Sequence, residues 1–195
     1  NDVIHTSEVF LIMVILANVT FDGFTATGTW YDITRYAFGF IPNLTILTTI
    51  GLVCFSLVFT IVYFTFCRLM SLASGANFSD MSIAKSFVYS LVPISIAYHL
   101  AHFLSFLLIQ GQLVIPLLSD PLGYGWDILG TSDYIVNIAI VDAKFAWFVS
   151  IAAIVIGHII AVYLAHLIAV RKFAIYGAAL RSQFPMLILM VFYTV

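Results

Sequence analysis

The sequence predicts an all-α fold, a polytopic bundle of transmembrane helices, on three observations. Hydrophobic residues make up 63% of the 195 and charged residues only 8%, against roughly 45–50% apolar and about 25% charged in a soluble domain. The apolar residues fall into separate runs, several of about 27 residues, where a membrane helix needs about 20. The few charges divide by sign between alternate loops. Seven Lys and Arg with nine Asp and Glu cannot clothe a water-facing surface, so lipid is the expected solvent. A secreted disulfide scaffold, a disordered segment and a nucleic-acid binder are excluded. With a net charge of −2 there is no basic face for phosphates.

The elements follow in order. The first helix is expected over 9–21, extendable toward Glu8 or Asp22, with Gly23 permitting a tight exit. A loop over 28–43 carries Trp30, Tyr31, Tyr36 and Phe38, rings that favour a membrane interface. The second helix, 44–70, holds Cys54 and Cys67, which lie about 20 Å apart along the axis and cannot pair. The third, 83–109, contains Pro93, which predicts a kink and a freed carbonyl at Tyr89. A long loop, 110–142, carries Pro116, Pro121, Gly123, Gly125 and Gly130 with Tyr124 and Trp126; its apolar piece 113–118 is too short to cross and suits an interfacial or re-entrant segment. The fourth helix, 144–170, bears Ala153, Gly157, Ala161, Ala165 and Ala169 every four residues, a small-residue ridge for close helix packing. Ser182 and Pro185 are expected to start a fifth helix near Phe184, which halts in mid-span at Val195. The chain, 1–195, is therefore expected to be one transmembrane domain, four full spans plus an incomplete fifth, within a longer protein.

Charge placement orients the spans. Arg68, Lys85, Arg171, Lys172 and Arg181 fall on one side; Asp22, Asp32, Asp120, Asp127, Asp133 and Asp142 fall on the other, with only Arg35 and Lys144 as cations. The positive-inside rule puts loops 71–82 and 171–183 in the cytoplasm and loops 22–43 and 110–143 outside.

Four of the five histidines lie within spans, where ionisable groups mark functional sites. His99 and His102, three apart on the third helix, share a face and can converge on one ion. Counted from the outer ends at 1.5 Å per residue, His99 lies about 15 Å deep, His102 about 10 Å and His158 about 20 Å, so these three are expected to meet. His166 lies over two turns nearer the cytoplasm and is a poorer partner. His158 and His166 each follow a ridge residue, Gly157 and Ala165. Neutral imidazoles suit copper, zinc or iron, and Asp22, Asp127 or Asp142 are the carboxylates placed to complete the shell. A b-type haem held between His99 and His158 is the alternative cofactor. Proton relay and interhelical hydrogen bonding compete with both. His5 and Glu8 read as a solvated helix start, and Asp120-Pro121 and Gly125-Trp126-Asp127 as either a lid for the cluster or turn chemistry.

No GxSxG elbow, P-loop, HExxH or GxGxxG with an acidic partner is present. The segments Phe21-Asp22-Gly23-Phe24 with Ala26-Thr27, Tyr98 to His102, Ser119-Asp120-Pro121 through Gly125-Trp126-Asp127, Gly157-His158 with Ala165-His166, and Arg181-Ser182-Gln183-Phe184-Pro185-Met186 together resemble a family of prokaryotic multi-pass membrane proteins commonly labelled fenitrothion hydrolase. The resemblance implies a membrane fold in the prokaryotic cell membrane, the matched histidines and aspartates as a site, and hydrolysis of an organophosphate triester, for which a metal-bound hydroxide is the natural nucleophile.

The expected function is thus a membrane protein with a histidine-centred metal or haem site in the outer half of the bilayer, hydrolytic or redox. The competing expectation is a non-catalytic subunit of a larger membrane complex, contacting other subunits through the Ala153, Gly157, Ala161 and Ala165 ridge. A transporter ranks third, because no inverted repeat or pair of broken helices is seen.

Overall fold

A computed structural model describes residues 4–75, 78–173 and 175–193. Among the described residues the chain is all-α, without strands: α1 (Thr6–Thr25), α2 (Gly28–Ala37), α3 (Leu44–Ser74), α4 (Asp80–Phe87), α5 (Val92–Gln110), α6 (Val114–Ser119), α7 (Ala143–Lys172) and α8 (Tyr176–Phe192). Among the described residues four stretches are long and apolar enough to cross a membrane: Thr6–Thr25, Leu44–Ser74, Asp80–Ser119 and Ala143–Lys172. The chain divides into two units, Asn1–Ile96 with Gly157–Val195 and Ala97–Ile156.

In the first unit α3 is the shared wall, packing against α1, α4 and α8. Its ends are set locally. Asn43 accepts the Ile46 N–H at 3.2 Å as N-cap, and Gly75, in the left-handed region at φ 68°, stops it. Met13, Leu16, Tyr63, Met70, Phe87 and Leu189 are fully buried around it. The two buried tyrosines end on backbone acceptors: Tyr63 Oη donates to the Ala84 carbonyl at 2.8 Å and Tyr193 Oη to that of Phe59 at 2.7 Å. The Tyr193 ring also stacks on Phe59, with centroids 4.4 Å apart. Each hydroxyl would otherwise sit unpaired in an apolar interior.

The segment expected as the loop 28–43 is largely helix. Thr27 caps α2 by accepting the Trp30 N–H at 3.3 Å. Trp30, Thr34 and Ala37 are half-buried at the i, i+4, i+7 spacing of one helix face, while Tyr31 and Tyr36 stay exposed. Trp30 meets Phe21 edge-on at 5.1 Å and Phe24 at 5.9 Å, and Phe55 of α3 closes the cluster. Gly51 is where α3 admits that cluster: a Cβ there would run into the Trp30 indole and reach 3.0 Å from Phe21.

The third expected span breaks where Pro93 predicts. α4 ends at Phe87, a 3-10 turn covers Val88–Leu91, and α5 starts at Val92. Pro93 thereby occupies the second position of α5, where its missing N–H has no helical partner to lose. The Tyr89 carbonyl is not freed, because it accepts the Val92 N–H. Two further expectations are corrected. α1 runs through Gly23 to Thr25, so that glycine makes no exit turn. α8 starts at Tyr176, with Pro185 inside it and not at its N-terminus; Pro185 cannot donate to the Arg181 carbonyl, and Ser182 Oγ donates to Ala179 O at 2.8 Å. The expected stop at Val195 lies outside the described residues.

Cys67 is buried and Cys54 exposed on an apolar face, both free. Of the small-residue ridge, Gly157, Ala161, Ala165 and Ala169 form the buried stripe of α7. At the end of that helix Lys172 Nζ donates to Ser82 O, Ser82 Oγ and Ser86 Oγ at 3.1, 2.9 and 2.8 Å and lies 4.9 Å from the Phe78 ring centroid. All three ammonium protons thus have acceptors on α4.

Candidate functional site

The histidine pair of α5 is the compact part of the candidate site. Three residues apart, His99 and His102 lie on one side of the helix, and Phe103 is in ring contact with both. The His102 ring stands perpendicular to Phe103 at 4.8 Å; the His99 ring is tilted at 6.2 Å. His99 is half-buried and His102 exposed. Between them in sequence, the Ala101 carbonyl accepts Ser150 Oγ from α7 at 3.1 Å, which ties the two helices at the level of the pair.

His158 and His166 are half-buried on α7, each beside a buried ridge residue. His166 has a resolved orientation. Gln183 Nε2 donates to the Ala179 carbonyl at 3.0 Å, which fixes the amide so that Oε1 faces His166 Nδ1 at 2.9 Å. An amide oxygen only accepts, so Nδ1 carries the proton and the lone pair of the neutral ring lies on Nε2. A ring held through Nδ1 is the arrangement that presents Nε2 to a metal or a proton. The depth count that ranks His166 last is blind to this partner on the next helix.

The carboxylates are placed less favourably for a metal. Asp127 Oδ1 accepts Ser119 Oγ at 2.6 Å and the Ser132 N–H at 3.0 Å. The Ser119 hydroxyl first, and then that backbone N–H, hold the Asp127 carboxyl below its ordinary range. Asp120 receives the N–H groups of Tyr124 and Gly125 at 3.0 and 2.7 Å. These are turn-building bonds, and Gly123, Gly125 and Gly130 supply the left-handed backbone at φ 71°, 79° and 69°. Asp142 is exposed at the start of α7, its carbonyl accepting Ala146 N–H; Asp22 is exposed near the end of α1. Among the described residues no group of three or more His, Cys, Asp or Glu is gathered to hold a metal ion.

Two polar groups escape the sequence reading. Gln112, buried, donates from Nε2 to the carbonyls of Leu108 and Asn137, both at 3.0 Å, and its Oε1 accepts Tyr134 Oη at 2.8 Å and Asn137 N–H at 2.9 Å. The only signal was a pair of amides, Gln110 and Gln112, between apolar runs, and spacing does not tell which of the two is buried. Glu8, expected in a solvated helix start, accepts the His5 N–H at 3.0 Å and the Tyr89 hydroxyl, which fastens α1 to the 3-10 turn.

Compared with family models, curated proteins and solved structures, the chain has no match.

Proposed function

We propose that this is an integral protein of the prokaryotic cell membrane whose histidines form a site for a transition-metal ion or a b-type haem. The observation that carries the reading is the pairing of His99 and His102 on one side of α5 around Phe103. Ionisable side chains within apolar spans cost free energy and are retained for use. With two protein ligands, such a pair suits an ion whose remaining positions go to water or substrate, or an axial haem position. A bound ion would supply Lewis acidity or redox chemistry, and the resemblance to the fenitrothion hydrolase family favours hydrolysis of a phosphate triester. The chain's own part is to orient the rings: Phe103 flanks the α5 pair, and Gln183 sets the tautomer of His166. The distribution of Arg68, Lys85, Arg171, Lys172 and Arg181 against the six aspartates supports loops 71–82 and 171–183 in the cytoplasm and 22–43 and 110–143 outside.

A second reading, a non-catalytic subunit of a membrane complex, is favoured by Asp127, a candidate ligand engaged in bracing its own loop. In that reading partners meet the exposed flank of α7, such as Ile159 and Tyr163, because the Gly157, Ala161 and Ala165 stripe is covered within the chain.

Metal analysis and an absorption spectrum of the purified protein decide between them. The site reading expects a stoichiometric metal or a Soret band that is lost in the His99→Ala, His102→Ala double variant while helicity is retained. Metal retained by that variant overturns the choice of ligands. Neither metal nor Soret band in the wild-type protein overturns the site, and co-purifying membrane partners would then support the subunit.

A further inference from the structure

We infer that the groove between the start of α1 and the second half of α3 binds one phospholipid whose headgroup carries both a phosphate and a primary amine. This inference is independent of the histidine site. The groove is shallow and largely open, with a volume of about 420 Å³. Phe10, Ile61 and Phe64 form its apolar wall, and Phe10 and Phe64 touch each other, ring centroids 6.2 Å apart. Thr60 and Thr65 also line it, but their hydroxyls donate to Ser56 O and Ile61 O at 2.8 Å, so neither adds a free donor. Ile61 is 65% exposed, on a helix apolar enough to cross a membrane; in a bilayer that exposure is contact with acyl chains.

One end of the groove differs. Arg68 and Asp80 line it there, in the stretch where α3 passes toward α4 and the polar segment 75–80 begins. Eight residues of helix separate Thr60 from Arg68, about 12 Å of apolar trough leading to a charged end. The two charges are joined by a single contact, Arg68 Nη1 to Asp80 Oδ2 at 3.4 Å, with side chains 70% and 38% exposed. Such a long, solvated pair contributes little to stability, and most of the guanidinium fork is turned outward. The arrangement matches an amphiphile feature by feature: apolar trough for an acyl chain, guanidinium for the phosphate, carboxylate for an ammonium. An anionic headgroup without an amine would meet Arg68 and be repelled by Asp80, so the pair selects a zwitterion. A trimethylated amine would meet the carboxylate without a hydrogen to donate, so phosphatidylethanolamine is preferred to phosphatidylcholine.

The test is lipid retention by native mass spectrometry of the protein released from nanodiscs of equimolar phosphatidylethanolamine, phosphatidylcholine and phosphatidylglycerol. One phosphatidylethanolamine is expected to stay bound, enriched about threefold over either competitor, the scale of an exposed charge pair. Asp80→Asn should remove the preference over phosphatidylglycerol. Arg68→Gln should lower retention of all three lipids, and Ile61→Trp, which fills an exposed position, should lower it with headgroup preference unchanged in the remainder. Equal retention of the three lipids by the wild-type protein, preference for phosphatidylglycerol, or a preference that survives Asp80→Asn would each overturn the assignment. Arg68 is exposed and Asp80 half-buried at the start of α4, so helicity and elution of both variants are measured alongside, and unchanged values separate binding from folding.

Discussion

The packed helices α1, α3, α4 and α8 and the segment 111–142 are ordered by opposite means. In the helices the buried set is apolar, Met13, Leu16, Met70, Phe87 and Leu189 among it, and polar groups enter as single ties such as Tyr63 to Ala84. In 111–142 the only two buried residues are polar, Gln112 and Ser119. Each is a hub. Gln112 makes four hydrogen bonds. Ser119 Oγ donates to Asp127 and accepts the N–H groups of Leu129 at 3.1 Å and Thr131 at 3.4 Å. With Leu117, Leu122, Ile128 and Ile135 all exposed, this segment has no hydrophobic core of its own, and its conformation rests on side chains that replace missing backbone partners. Shape therefore governs one region and hydrogen-bond accounting the other.

The largest effect should come from breaking the packed region by volume. Gly51→Val places a branched side chain where the Trp30 indole and Phe21 ring already sit. Overpacking of this kind costs on the order of 1–3 kcal/mol. We expect a clear loss of thermal stability in detergent and a red-shifted, more solvent-exposed Trp30 fluorescence in a background with Trp126 and Trp147 replaced by Phe. Hydrogen exchange across 119–132 should be unchanged. Faster exchange there would show that the two regions are not ordered independently.

Ser119→Ala reverses the experiment. It removes one donor and one acceptor at a fully buried position, taking from the Leu129 N–H its side-chain acceptor and from Asp127 one of its donors, at about 1–3 kcal/mol. Exchange and proteolysis over 119–132 should quicken while thermal unfolding of the helices stays near wild type. An equal fall in helix stability would show that the packed helices and the segment 111–142 are not ordered by separate means.

The two regions were also unequally readable in the sequence. Periodicity and run length predict α1, α3 and α7 within a few residues, because each must satisfy its backbone internally and present apolar side chains to lipid, whereas the third expected span, 83–109, is divided among α4, a 3-10 turn and α5. The same logic misplaces α2, because Tyr31 and Tyr36 read as interfacial loop rings while Trp30, Thr34 and Ala37 share a helix face. It also misplaces the start of α8, where Ser182 and Pro185 resemble a helix start and lie inside the helix. Of the candidate site, the sharing of one side by His99 and His102 follows from spacing alone. What spacing does not contain is which neighbour engages each polar group. Asp127 is spent on Ser119 and Ser132, and His166 is oriented by Gln183, seventeen positions away.

A smaller effect is expected from pH on the segment 111–142. The folded Asp127 carboxyl is held below its ordinary value by Ser119 and the Ser132 N–H. Its contribution is therefore fully present above the unfolded value, about 3.9, and is lost as pH falls through the lower folded value. Protection over 119–132, taken relative to the intrinsic exchange rate at each pH, should be flat from neutral pH down to about 4 and fall below it. Asp127→Asn should remove that acid-dependent step, which tells loss of this carboxylate apart from general acid unfolding. A step that persists in the variant would assign the acid sensitivity to another group.

The smallest energetic effect carries the most chemical information. If Gln183 dictates the His166 tautomer, then Gln183→Leu should leave α8 folded and release the ring to the other tautomer, in which Nε2 holds the proton. The cost should be about 1 kcal/mol, one hydrogen bond to a half-buried group, but nitrogen-15 spectra of labelled histidine should show the His166 signals exchange between protonated and unprotonated nitrogen positions. Gln183→Glu should retain the Nδ1 proton, because a carboxylate can only accept. If His166 keeps its proton on Nδ1 in the leucine variant, another acceptor orients the ring. Gln183 would then be a helix-packing residue, and His166 would lose its claim to a prearranged Nε2.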